Sequence, residues 1–210
     1  MPELPVSEAI KKRRSIKAFK PDPIDDKILS SIMESTINAP SSWNFQPTRV
    51  IMLKSREQKE KLAAVAWHQK QITQAPVVFV YAASIRGWEQ KMDKVISTAQ
   101  EKGAWPDKFA GFIRESAPGF QAALGDKERE YAIKDAMISA THTALAAEAY
   151  GLGTCFMNGW DEKGVKEIIG AGDDPDIAIA LVLPCGYPLE TPADPGRLPQ
   201  NEVIFTDFLE

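Results

Sequence analysis

The sequence predicts an α+β fold built on a central sheet and one long central helix. Three observations carry that expectation. Two continuous apolar runs, residues 76–83 and 177–183, mark buried strands at 76–83 and 176–185. Residues 127–150 give the strongest helical pattern, with Ala136, Ala140, Thr143, Ala144 and Ala147 along one side. A stripe of such small side chains lets another element approach closely. Finally, helical and strand patterns interleave without a regular βαβ rhythm.

The elements follow in chain order. A first helix is expected from residue 5 or 7 to residue 14, with Ser7 as its cap and Ile10 on its apolar side. Lys20-Pro21-Asp22-Pro23 breaks the chain. A second helix fits residues 25–38, where Ile28, Leu29, Ile32, Met33 and Ile37 recur at helical spacing. Residues 39–47 read as a Pro-, Ser- and Asn-rich loop, 49–53 as a strand, and 56–67 as a helix. Residues 86–123 are mixed, with short helical patches and with Pro106 and Pro118 as breakers. Gly151 and Gly153 stop the long helix. A short strand is expected at 154–157 and a helix capped by Asp161 at 161–169. A Pro-rich extension over 187–199 leads to a last apolar piece, 203–208. Residues 1–210 read as one domain. The tail has too few apolar residues for a core of its own. Val203, Ile204, Phe205 and Phe208 must bury either on their own domain or on a second subunit.

Composition excludes several classes. Hydrophobic residues at 44% and charged residues at 26% fit a soluble globular chain. A net charge of -4 offers no global positive field for nucleic acid or anionic lipid. The apolar runs fall short of the roughly 18–20 residues that span a bilayer. Residues 1–14 lack the apolar core of a secretion signal, so a cytoplasmic location is expected. Cys155 and Cys185 match no metal or redox spacing and read as small, half-buried hydrophobes.

The common catalytic fingerprints are missing. Gly151 and Gly153 begin a G-x-G-x-x-G, but Phe156 stands at the third glycine. Gly159 and Gly164 have P-loop spacing, but Val165 replaces the lysine. No H-E-x-x-H or G-x-S-x-G occurs, and His68 and His142 make no metal set. Enzymatic chemistry would therefore reside in a bound cofactor.

Four segments remain as candidates. Lys11-Lys12-Arg13-Arg14-Ser15-Ile16-Lys17-Ala18-Phe19 suits a phosphate, a solvated basic helix end or a nucleic-acid patch. Ala39-Pro40-Ser41-Ser42-Trp43-Asn44-Phe45-Gln46-Pro47 is either a plain turn or a polar rim for a heteroaromatic ligand. In residues 151–161, Gly153 and Gly159 either end a helix or let backbone approach something flat. Arg197, between Gly196 and Leu198, is a solvated loop residue unless it meets the first cluster.

Taken in order, the Arg-Arg-Ser-Ile-Lys-Ala-Phe start, the Ala-Pro-Ser-Ser-Trp-Asn-Phe-Gln-Pro loop, the Gly-Leu-Gly-Thr helix exit and the Gly-Tyr-Pro strand exit resemble the nitroreductase family of flavoproteins. The resemblance spans nearly the whole chain. It implies a mostly antiparallel sheet flanked by helices, and a homodimer with FMN at the subunit interface and a C-terminal arm on the partner. It further implies that Arg13, Ser15 and Lys17, with Arg14 of the same motif, meet the FMN phosphate, ribityl chain and nearby ring edge. Arg197 would return to the phosphate. Pro40, Ser41, Ser42 and Asn44 would come from the other subunit. Asn158 and Gly159 would face the flavin N5 and O4 edge, and one of His68, Gln69 and Gln71 would supply an amide to the pyrimidine side. The implied activity is NAD(P)H-dependent reduction of a small acceptor such as a nitroaromatic or quinone, with no catalytic side chain and no metal. A flavin-binding protein without turnover is the alternative. Two departures stand out. Family members often carry Glu where Asn158 stands, and many carry Lys where Pro195 stands.

Overall fold

The computed structural model describes residues 4–209. Four strands, β1 (Thr48–Leu53), β2 (Val77–Ser84), β3 (Gly153–Thr154) and β4 (Ile177–Gly186), form one antiparallel sheet in the order β1-β2-β4-β3. β1 pairs with β2 from Thr48 opposite Ala83 to Leu53 opposite Val78. β2 pairs with β4 along its length, with an extra residue in β4 opposite the Tyr81–Ala82 step.

Every residue of β2 is buried, and its alternation divides the core in two. Val78, Val80 and Ala82 face one layer, with Ile16, Leu62, Ile72 and Val165. Val77, Phe79, Tyr81 and Ala83 face the other, with Leu29 and Ile32. This is the two-sided burial expected from the apolar runs.

The helices are α1 (Val6–Lys12), α2 (Asp26–Ile37), α3 (Arg56–Ala64), α4 (Lys70–Gln74), α5 (Gly87–Glu101), α6 (Asp107–Leu124), α7 (Glu128–Ala149) and α8 (Glu162–Ile168). α7 is the expected long helix. Its Ala132, Ala136, Ala140 and Ala147 lie directly on the second core layer. Within that contact the Thr143 hydroxyl bonds both Tyr81 Oη and Thr36 Oγ1, so the buried polar groups satisfy one another. Burial drives the Tyr81 phenol pKa upward. Gly151, at φ 76°, ends the helix in the left-handed region as expected. Asp25 and Asp161 cap α2 and α8 through the backbone N–H groups of Lys27 and Gly164.

Several elements differ from expectation. Ser7 lies inside α1, and Pro5 stands at the cap without a side-chain bond. Proline presets the φ a helix entrance needs, so no serine is required. Ile10 is exposed, and the buried face of α1 carries Ala9. The helix from Arg56 stops at Ala64, followed by a turn and the short α4. Residues 86–123 form two full helices, and Pro118 sits inside α6. Pro118 is exposed, so the carbonyl it leaves without an N–H partner can be hydrated and the helix continues. α5 and α6 build a separate aromatic cluster around Phe45, Ile96 and Ile113, joined by Trp43, Trp88 and Trp105. Both cysteines are fully buried rather than half-buried, and burial pushes the Cys185 thiol up to about 12.

Beyond Pro188 the chain is exposed throughout its described length. Val203, Ile204, Phe205 and Phe208 all remain exposed on their own protomer.

The close seat of α7 yields a stability test. Ala140→Leu adds three carbon atoms where no space exists. It is expected to destabilise the protein by about 1–3 kcal/mol in urea unfolding followed by circular dichroism. An unchanged midpoint would mean that α7 does not lie on the sheet as described.

Candidate functional site

Residues 13–17 leave the end of α1 and run beside the start of β3. Ser15 bridges Thr154 in parallel, and the Ile16 N–H donates to the Thr154 carbonyl at 3.0 Å. Gly153 makes this possible: a Cβ there would fall 2.3 Å from Ile16 Cγ1. Lys17 Nζ reaches Cys155 Sγ at 3.2 Å, and the Arg13 guanidinium lies 5.8 Å from the Phe156 ring centroid. Arg13 Nη1 and Thr154 Oγ1 are buried without a hydrogen-bond partner. A buried donor left in this way is costly unless a ligand or water completes it.

The chain after β3 continues to residues 158–159, where Gln69 Nε2 donates to the Gly159 carbonyl at 3.1 Å. Gln71 Nε2 in turn donates to Gln69 Oε1 at 3.1 Å. Gly159 does approach a flat group closely, and in the protomer that group is an indole. A Cβ on Gly159 would fall 2.2 Å from Trp67 Cζ3. Trp67 and His68 both take positive φ, 52° and 51°, and both are exposed. Left-handed backbone at a tryptophan is strained, and such strain collects at ligand sites. Asn158 is exposed beside them.

Arg14 binds differently from Arg13. Its Nη1 donates to the carbonyls of Lys11, Lys12 and Arg13, closing the end of α1. Its Nη2 meets Asp194 Oδ2 at 2.6 Å. That ion pair holds the root of the C-terminal arm, so Arg197 follows only three residues beyond this anchor. Arg197 is exposed and donates to its neighbouring Gly196 carbonyl at 2.6 Å.

The loop from Pro40 to Asn44 lies elsewhere. Trp43, Asn44 and Gln46 all have positive φ, and Ser41 Oγ accepts the Gln46 N–H at 3.0 Å. The Ser42 N–H donates to Asp135 Oδ2 at 3.1 Å, and its hydroxyl bonds Tyr131 Oη. Pro40 and Asn44 are exposed. Asp135 belongs to the first half of α7. Arg13, by contrast, faces Glu148 near the end of α7, where burial raises the Glu148 pKa against the opposing pull of Arg13, Arg14 and Lys12. Asp135 and Glu148 are thirteen residues apart on one helix, or about 20 Å along its axis. One protomer therefore gathers Arg13, Ser15, Lys17, Gln69, Gln71, Asn158 and Gly159 on one side, and Pro40, Ser41, Ser42 and Asn44 on another.

Comparison with known proteins agrees with this architecture. The nitroreductase family model matches residues 10–187. The chain belongs to the nitroreductase family. This nitroreductase-family chain is 32% identical over 205 residues to an NADH dehydrogenase of Thermus thermophilus, covering 97% of both. It is 29% identical to an FMN reductase [NAD(P)H] of Bacillus subtilis, covering 94% of this chain and 72% of that one. A protein of Exiguobacterium sibiricum assigned as a nitroreductase, crystallised in complex with FMN, superposes with a TM-score of 0.85 at 23% identity. The match covers 98% of this chain and 99% of that one.

Three residues of this candidate site were not singled out from the sequence, although Thr154 lies in the Gly-Leu-Gly-Thr motif. Trp67 reads in the sequence as the end of a helix. Thr154 and Asp135 acquire their roles only through partners far along the chain. Asp135 is the clearest case, because its Ser42 contact crosses ninety-three residues.

Asp135 gives a pH test. Burial raises its pKa above the ordinary carboxylate value, with the Ser42 N–H opposing. A raised folded pKa means that the associated stability is full below the unfolded pKa and is lost as pH climbs through the folded one. Asp135→Asn keeps an acceptor for Ser42 but never ionises. Its stability relative to the parent is expected to improve as pH rises from about 4, the ordinary Asp value, through the raised folded one. A difference independent of pH would show that Asp135 is not desolvated.

Proposed function

We propose that two copies of this chain enclose FMN at their interface and use it to reduce a small acceptor at the expense of NADH or NADPH. The observation that carries the reading is the buried, unpartnered Arg13 Nη1. It sits in a cluster of donors of the kind a phosphate recruits. Its surroundings fit FMN: Ser15 and Lys17 offer further donors, and the arm root held by Arg14 and Asp194 keeps Arg197 nearby. The names of the Thermus and Bacillus relatives point the same way.

In this reading Arg13, Ser15, Lys17 and Arg197 hold the phosphate and ribityl chain. Arg14 belongs to the same motif and keeps the arm in place. Asn158, Gly159 and an amide from Gln69 or Gln71, with His68 beside them, border the ring. Pro40, Ser41, Ser42 and Asn44 complete the site from the partner, since the span along α7 separates them from Arg13 within one protomer. The exposed apolar arm passes to the partner as well. FMN held there would supply the redox chemistry, hydride transfer from the nicotinamide to an acceptor such as a nitroaromatic or quinone. The side chains bind, orient and tune the electrostatics, and none serves as nucleophile, base or metal ligand. A cytoplasmic setting suits a reductant of this kind.

Anaerobic NADH or NADPH is expected to bleach the yellow FMN-loaded protein, as read by absorbance. A spectrum that stays oxidised would reduce the protein to a flavin binder. The division of the site between subunits has its own test. Arg13→Ala should weaken FMN binding by roughly 1.5–3 kcal/mol, and Ser42→Trp should block the site from the partner side. Co-expressed, the two variants form mixed dimers with one intact site. Recovery of about half the flavin per mixed dimer is expected, whereas a site built within one chain would recover none.

A further inference from the structure

Residues 154–156 hold three donors of the basic segment, one each. Thr154 bridges Ser15, Phe156 faces the Arg13 guanidinium, and Cys155 Sγ accepts from Lys17 Nζ at 3.2 Å. Lys17 is an exposed lysine, yet its tip ends on the sulfur of a cysteine with no accessible surface. The thiol in turn points its weak donor at the Phe156 carbonyl, 4.0 Å away. The Cys155 N–H donates to the Pro184 carbonyl at 3.2 Å, which fixes the sulfur against β4.

Among the described residues, no carboxylate pairs with Lys17. Glu148, the acid facing this segment, is drawn by Arg13, Arg14 and Lys12. An ammonium has three donors, and the thiol engages one of them. An aspartate in the same place would hold the lysine more firmly, but it would cancel the charge. A thiol fixes the direction of the lysine and leaves its charge for an incoming anion. A tip ordered beforehand also avoids part of the rotamer entropy that a free lysine loses on binding.

We propose that Cys155 is a positioning residue: it pre-orders the Lys17 ammonium for the anionic cofactor and acts on that cofactor only through the lysine. The inference rests on the flavin reading above. It gives a role to a residue that the sequence presents as a small hydrophobe.

Alanine and serine leave nearly the same volume at position 155, and only serine keeps an acceptor. Affinity is read by flavin fluorescence on dilution of the FMN-loaded protein. Cys155→Ala is expected to weaken FMN binding about three- to tenfold, and Cys155→Ser to recover most of that loss. Lys17→Met is expected to weaken binding about tenfold, and Cys155→Ala to add nothing in the Lys17→Met background. Infrared absorption reads the contact itself. The S–H stretching band that Cys155→Ala removes is expected to shift in Lys17→Met, whether or not FMN is added. Alanine and serine variants of equal affinity overturn the proposal. So does a double variant weaker than Lys17→Met by the full Cys155→Ala factor, and so does an unshifted band. A parent that binds no FMN overturns the flavin reading as well, and is recognised by that parent titration alone, while the band still reports the contact.

Discussion

The structure depends on how closely α7 lies against the sheet. Its alanines leave no side-chain layer between the helix and the side chains of β2, so the helix axis is fixed relative to the strands. Thr143 ties the same contact to Tyr81 and Thr36. Because α7 is rigid and long, it sets the distance between whatever is mounted on its two halves. The loop carrying Ser42 is mounted on the first half, and the segment carrying Arg13 faces the last turns. That fixed spacing keeps the two polar clusters about 20 Å apart along the helix within one protomer.

Each cluster holds backbone or donors in an unusual state. On one side, Arg13 Nη1 and Thr154 Oγ1 are buried without partners, and Trp67 and His68 hold left-handed backbone. On the other, Trp43, Asn44 and Gln46 hold the same unusual conformation, stabilised by Asp135 and Tyr131. Local strain and unsatisfied donors persist where the surrounding packing over-determines them. The well-packed core behind these loops provides that support, together with bonds inside the loop such as Ser41 to Gln46.

Much of this was legible in the amino acids, for reasons that differ by element. β2 and β4 announce themselves because burial on both faces demands continuous apolar runs. α7 does so because a close helix–sheet contact demands small residues at helical spacing. The paired segments of the candidate site were visible as clusters of donors and turn formers. Other features carry no local signal. α4 is too short to show a period. α5 and α6 were obscured because their aromatic residues pack on a satellite cluster and Pro118 sits harmlessly on a solvent face. Ser42 finds Asp135 and Lys17 finds Cys155 only through the tertiary fold, and no window of sequence contains both members of either pair.

The two cysteines have a practical consequence. Cys155 and Cys185 are both sealed in the core, one beside β3 and the other in β4, and neither forms a disulfide. A thiol engineered anywhere on the surface would thus be the sole handle accessible to a maleimide dye in the folded protein. Fluorophores could be attached to the arm, or to α6, without first removing native thiols from the interior.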